Sequence, residues 1–175
     1  MSSYIRPSHP GATVFFTVRL AEIGSTLLVD EIDRLRAAFH ATLMERWFVF
    51  DAVVVLPDHL HAVITLPPGD GDYATRWRCI KTRFSRGLPM GQRRDSHLVR
   101  RERGIWQRRY WEHHIRDDAD YAAHVQYCWS NPVKHGLAKR PRDWPFSSLH
   151  RDIQSGRARG CLFGNPVFSL FSGGK

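Results

Sequence analysis

A chain of 175 residues with 42% hydrophobic and 25% charged positions is long enough for one domain with a real core, and its composition is that of an ordinary soluble globular protein. Its formal net charge of +9 points to a polyanionic partner rather than a neutral one. The polar start of the chain lacks the apolar core of a signal peptide, and the longest apolar runs are strand-sized, which excludes a membrane-spanning helix and leads us to expect a cytoplasmic protein.

Taken in chain order, Ala12 to Leu20 alternates as a strand, with Val14, Phe16, Val18 and Leu20 on one face and Thr13, Phe15, Thr17 and Arg19 on the other. Leu28, Ile32, Leu35, Phe39 and Leu43 recur at helical spacing, and Asp30, Glu31 and Asp33 suit the early turns. Phe48 to Leu56 is a β-branched apolar run stopped by Pro57, and His59 to Leu66 is a further strand stopped by Pro67 and Pro68. The short Pro57-Asp58 connection makes these two strands antiparallel neighbours. Asp70 or Asp72 caps a second helix with the apolar stripe Tyr73, Trp77, Ile80 and Phe84, ended by Gly87 and Pro89. Arg109 to Arg116 reads as a fourth strand. Asp117, Asp118 and Asp120 open a third helix running to about Asn131, where Pro132 disfavours continuation.

The order β-α-β-β-α-β followed by a helix predicts an α+β, ferredoxin-like antiparallel sheet with two helices on one face. Leu60, Ala62, Ile64 and Leu66 face those helices. His59, His61, Val63 and Thr65 face the other way, onto a side expected to stay open as a nucleic-acid platform. One domain is expected over residues 1–152, with a Gly-, Ser- and Arg-rich tail over 153–175. Cys79, Cys128 and Cys161 fit neither a disulfide framework nor a zinc knuckle and read as free thiols.

The positive charge is concentrated. Between Arg76 and Arg116 thirteen Arg or Lys residues face three acids, whereas the remainder, thirteen basic and fourteen acidic, nearly cancels. Such clustering favours a polyanion through counterion release. Arg76, Arg78, Lys81, Arg83, Arg86, Arg93, Arg94, Arg100, Arg101, Arg103, Arg108 and Arg109 are the candidate phosphate contacts, joined by Arg19 and Phe15 on the expected open face. Trp106, Tyr110 and Trp111 have the aromatic character to stack on unpaired bases, although for Trp77 and Trp111 core packing is the stronger expectation.

His59 and His61, two apart on a strand, point to one face, so both imidazoles can meet one divalent cation. A lone His-x-His on a surface strand carries little information. Tyr127 and Asn131, four apart on the third helix, share a face, with His124 near the same stripe. Singly, Tyr127 reads as a packing tyrosine and Asn131 as a cap before proline; together with the histidine pair and the basic surplus they form a candidate site. Two histidine nitrogens and the Asn131 carbonyl suit Mg²⁺ or Mn²⁺ with open positions for phosphate oxygens. Tyr127 is then the nucleophile and His124 a candidate for removing its proton.

These residues lie in segments that resemble one family. Leu56 to Pro67, LPDHLHAVITLP, resembles the histidine-hydrophobe-histidine motif of single-tyrosine transposases. Ile105 to Leu137, with WEHHIRD and NPVKHG, is similar to the REP-associated tyrosine transposases, as are Phe15 to Leu20 and Asp143 to Asp152. The resemblance implies that His59, His61 and Asn131 hold the metal and that Tyr127 cuts single-stranded DNA at REP-type hairpins. Cleavage then passes through a 5′-phosphotyrosine and leaves a free 3′-OH. It further implies a monomer acting with its own tyrosine in the bacterial nucleoid, and a tail that contributes to DNA recognition. Cys128, Trp129 and Ser130 depart from the family's usual residues after the nucleophile. Two other readings stay open: a hairpin-binding regulator of the same fold that does not cut, and a nuclease using water as nucleophile.

Overall fold

Four strands carry the alternation expected of them: β1 (Thr13–Arg19), β2 (Val49–Val55), β3 (His59–Thr65) and β4 (Trp111–His114). The computed structural model describes residues 9–92 and 102–158. The strands form one antiparallel sheet in the order β2-β3-β1-β4. β3 and β1 are central and hydrogen-bonded on both sides, so a side chain on either is held by two neighbours. The fourth strand is shorter than its sequence pattern, pairing only Trp111 to His114 with Thr17 to Val14.

The first helical pattern divides into α1 (Leu27–Asp30) and α2 (Ile32–Glu45), the break falling at Glu31. α3 (Tyr73–Ser85) starts at Asp72, whose side chain accepts a hydrogen bond from the Thr75 N–H. α2 and α3 cover one sheet face. There Val14, Phe16, Val18, Leu60, Ala62 and Ile64 meet Leu35, Tyr73, Trp77, Ile80 and Phe84, all at most 2% exposed. Burying each large apolar side chain of this kind contributes about 1.5–3 kcal/mol.

The opposite face is not open. The long helix α4 (Asp118–Lys134) packs against β2 and β3, and Phe15, Val63, Val125, Cys128 and Trp129 form a second apolar layer beneath it. Alternation along a strand distinguishes its two faces, but it carries no information about a helix arriving from a distant part of the chain. α4 starts at Asp117, which accepts from the Asp120 N–H. It also runs through Pro132 to Lys134 rather than stopping at Asn131. Proline removes only one N–H donor, and the turn beyond it closes by the Gly136 N–H on Val133 and the Leu137 N–H on Pro132, with Gly136 at φ 68°. Asn131 is therefore an interior helical residue.

β2 lies at a sheet edge, yet the edge is covered. After a short 3₁₀ turn (Pro141–Asp143), the Val55 N–H bonds to the Phe146 carbonyl and the Ser148 N–H to the Val53 carbonyl. The Ser148 hydroxyl accepts from the Val53 N–H at 3.1 Å, and the Trp144 indole donates to the Val55 carbonyl. Arg151, on α5 (Leu149–Gln154), donates to the Phe50 and Asp51 carbonyls. α5 runs through position 152, and Ala158 beyond it is fully buried. Among the described residues no helix is long and apolar enough to cross a membrane.

Candidate active site

The antiparallel pairing aligns three side chains across the α4-facing side of the sheet: His61 opposite Thr17, and Thr17 opposite Trp111. His59 lies one step along β3, opposite Arg19. Both imidazoles are buried, 4% and 3% exposed, with ring centroids 5.0 Å apart. Each has its Nδ1 engaged: His59 with Asp58 Oδ1 at 2.6 Å, and His61 with Thr17 Oγ1 at 2.9 Å. Each Nε2 is buried with no hydrogen-bond partner among the described residues.

Burial pushes the Asp58 carboxyl up, but the hydrogen bond with His59 and the Gly24 N–H outweigh it and hold it below its usual range. An ionised Asp58 accepts only, so His59 carries its proton on Nδ1 and presents a lone pair on Nε2. Burial also lowers the His59 imidazole, against the pull of Asp58. It pushes His61 down to about 2, with the neighbouring His59, Arg19, His135 and Lys134 acting in the same direction. Both rings are thus neutral, the form that donates a lone pair to a metal.

α4 lays a stripe along this pair. The Tyr127 ring sits 5.1 Å from His61, and the His135 ring, two turns on, sits 5.2 Å from His59. Asn131 stands between them on that stripe. It is 0% exposed, and neither its Oδ1 nor its Nδ2 has a partner among the described residues. A buried carboxamide without partners costs about 1–3 kcal/mol per orphaned group. Three of these unpartnered atoms, the two imidazole Nε2 and the Asn131 Oδ1, carry lone pairs of the kind that bind a divalent cation, and the stripe that sets Tyr127 by His61 and His135 by His59 places Asn131 along the same pair.

Tyr127 is half-buried. With Phe15, Thr17, Trp111, Ala123, His124 and Lys134 it lines a cavity of about 270 Å³, and Lys134 Nζ lies 5.2 Å over its ring. His124 reaches the same cavity, its Nδ1 held 2.8 Å from the Asp120 carbonyl and 3.1 Å from the Asp120 carboxylate. His113 Nε2 meets the other Asp120 oxygen at 2.8 Å, and Arg116 adds its backbone N–H and Nε. Burial raises the Asp120 carboxyl, but these hydrogen bonds prevail and hold it well below the usual range. His113, Asp120 and His124 have ligand atoms within 4.8 Å of one another, a cluster with metal-ligating side chains of its own. Their atoms are already bonded to each other, unlike those of His59, His61 and Asn131. Of this triad sequence patterning singles out His124 alone, and it does not point to His135; the WEHH stretch is the signal that could have found His113, and the KHG stretch His135.

The expected DNA contacts divide. Arg19, Arg78, Arg86, Arg108 and Arg109 are exposed. Lys81, which donates to the Gln107 carbonyl and lies over the Trp106 and Tyr110 rings, lines a basic surface groove with Arg78, Arg103, Arg108, Trp106 and Tyr110. Arg108 is ion-paired with Glu102, Arg83 with Glu45, and Arg103 donates to the Leu88 carbonyl. Arg76 is 2% exposed and spends its guanidinium on Asp70 and the Trp47 and Asp72 carbonyls, which fastens α3 to the end of α2 rather than to a ligand. Phe15 is 3% exposed beneath His61, His124 and Tyr127, a packing position. Arg93, Arg94, Arg100 and Arg101 lie outside the described residues.

No protein-family model matches the chain. It is 44% identical over 156 residues to the REP-associated tyrosine transposase of Escherichia coli K12, a match covering 89% of this chain and 87% of that protein. It is 43% identical over 157 residues, 89% of each chain, to a Haemophilus influenzae protein that carries the same name provisionally. The solved structure of a REP-associated tyrosine transposase bound to a REP hairpin superposes with a TM-score of 0.79 at 40% identity, over 100% of this chain and 98% of that one.

Proposed function

The chain belongs to the REP-associated tyrosine transposases, and from that premise we propose that it is a single-strand DNA endonuclease and strand-transferase acting at REP-type hairpins. The observation carrying this reading is that three ligand-type atoms, His59 Nε2, His61 Nε2 and Asn131 Oδ1, are buried without a partner among the described residues, on a strand and a helix that bring the half-buried Tyr127 ring 5.1 Å from His61. His59 Nε2, His61 Nε2 and Asn131 Oδ1 would hold Mg²⁺ or Mn²⁺, which supplies Lewis-acid polarisation of the scissile phosphate when bound. Asp58 and Thr17 orient the two imidazoles through their Nδ1 atoms.

Tyr127 Oη attacks the phosphorus. The bond from phosphorus to O3′ breaks, the 5′ side remains as a phosphotyrosine, and O3′ leaves as a hydroxyl after taking up a proton. Attack by another 3′-OH reverses the step and rejoins the strand without external energy. His124, positioned by Asp120 in the cavity that Tyr127 lines, is the acceptor for the phenol proton. Exposed Arg19, Arg78, Arg86, Arg108 and Arg109, with the basic segment 93–103, position the phosphate backbone. The catalytic domain extends past position 152 to include Ile153 and the buried Ala158, which pack into its core, and the chain beyond assists recognition. The protein acts as a monomer on DNA in the cytoplasm.

Incubating the protein with a single-stranded REP hairpin and Mn²⁺, then separating the products on a denaturing gel, tests this. A covalent protein–DNA band is expected, and Tyr127→Phe should abolish it while hairpin affinity stays within about twofold. Hairpin binding without cleavage would instead identify a regulator, and a 5′-phosphate product without an adduct would identify water as nucleophile.

A further inference from the structure

Trp111 is a large side chain of the sheet that the fold leaves more than half exposed, at 56%, in the same cross-strand row as His61 and Thr17. Two interstrand spacings separate it from the His61 strand, about 10 Å. One face of its indole is supported: the His113 ring lies parallel to it, 7° off and 6.0 Å away, and His113 is itself stacked on His124 at 4.6 Å. The edge of Phe15 braces the indole from the side at 5.7 Å. A ring fixed behind and beside, yet more than half exposed, keeps its other face open to solvent. It borders the cavity of about 270 Å³ that Tyr127 and Lys134 also line.

An exposed tryptophan costs solvation free energy and is not needed to close this core, since Phe15 already seals the layer at 3% exposure. Its rigid backing, conversely, removes the entropy that a mobile platform loses when a flat ligand settles on it. Lys134 supplies a cation at the same cavity for the accompanying phosphate. We infer that the free face of Trp111 is the stacking platform for an unpaired nucleobase next to the scissile phosphate, with Lys134 meeting that nucleotide's phosphate. This rests on the reading of Tyr127 as the nucleophile only for the position of the cut. The stack itself is a binding contact and needs no metal or chemistry.

The test measures hairpin affinity in chelator, where no cleavage occurs, for wild type, Trp111→Ala and Trp111→Phe. The DNA probes are a hairpin with its unpaired flank, the same hairpin with the flank removed, and a set with a single abasic site walked through the flank. Trp111→Ala should weaken binding of the flanked hairpin about 5- to 100-fold, the worth of one base–aromatic stack, and Trp111→Phe should recover most of it. At one abasic position, and on the trimmed hairpin, wild type and Trp111→Ala should bind equally. An unchanged affinity on the flanked hairpin overturns the proposal. So does a loss that persists on the trimmed hairpin and at every abasic position, since that reports a structural defect. If the protein–DNA adduct never forms but this coupling is present, the nuclease reading fails and the platform stands; an adduct with no coupling gives the reverse.

Discussion

His61 shows how much one side chain can be asked to do. In the unfolded chain it takes up a proton near its ordinary value of 6.5; in the fold, burial pushes it down to about 2. Because the unfolded state binds a proton that the folded state refuses, the stabilising contribution is complete above about pH 6.5 and is lost as pH falls below it, by at most about 1.4 kcal/mol per pH unit for one group. His59, shifted the same way, steepens the same limb. Thermal unfolding across pH in chelator should therefore show stability falling below about pH 6.5, and His61→Asn should flatten that fall. An identical pH profile in the variant would mean that other groups govern acid unfolding. Spacing makes the histidine pair legible in the sequence, as it does the Tyr127 and Asn131 pair. Their neutrality is not legible there, because it comes from burial beneath the overlying helix and from neighbours such as Arg19, His135 and Lys134, which are brought close only by folding.

At the scale of elements, the sheet's weak point is β2, the edge strand preceding the two histidines. Ser148 closes it by accepting from the Val53 N–H while donating its own N–H to the Val53 carbonyl. Ser148→Ala leaves that Val53 donor without a partner and should cost about 1–2 kcal/mol. Chemical denaturation at constant m-value measures this, and a change under about 0.5 kcal/mol, the scatter of a neutral surface substitution, would show that the strap is dispensable. The strands are legible in the sequence from their alternation, and the pairing of β2 with β3 from the short Pro57-Asp58 connection, because both are local signals. The bracing of the sheet by residues 144–151 is not, since polar and aromatic residues in a short-turned segment carry no period. Nor is the place of Pro132 inside a helix, because proline's penalty is one missing bond and the closing turn at Gly136 compensates.

Considered whole, the molecule separates its charge from its chemistry. The candidate cation site lies between β3 and α4, whereas the basic groove of Arg78, Lys81, Arg103 and Arg108 borders α3 on the other side of the sheet. A bound strand touching both must wrap an edge of the protein, so affinity should draw on many phosphates. Log affinity for the hairpin should fall linearly with log salt, and Arg78→Ala with Arg108→Ala should reduce the slope by about 0.7–0.9 for each phosphate the protein no longer neutralises. A salt-independent affinity would remove the electrostatic footprint altogether. Composition alone reveals the surplus between Arg76 and Arg116, yet it overstates how much of that charge is free for DNA. Arg76 and Arg83 are consumed by Asp70 and Glu45, pairings between elements that linear position cannot foresee.

The basic segment also leaves and returns at a single pinch. The Gly91 N–H bonds to the Arg103 carbonyl, and a Cβ on Gly91 would stand 2.5 Å from the Gly104 oxygen. Any larger residue there would force the two ends apart, because backbone rather than a flexible side chain stands in its way. Gly91 thus acts as a clasp: the distance between the two ends of the segment is set by main chain against main chain, and no side chain larger than a hydrogen can enter the joint.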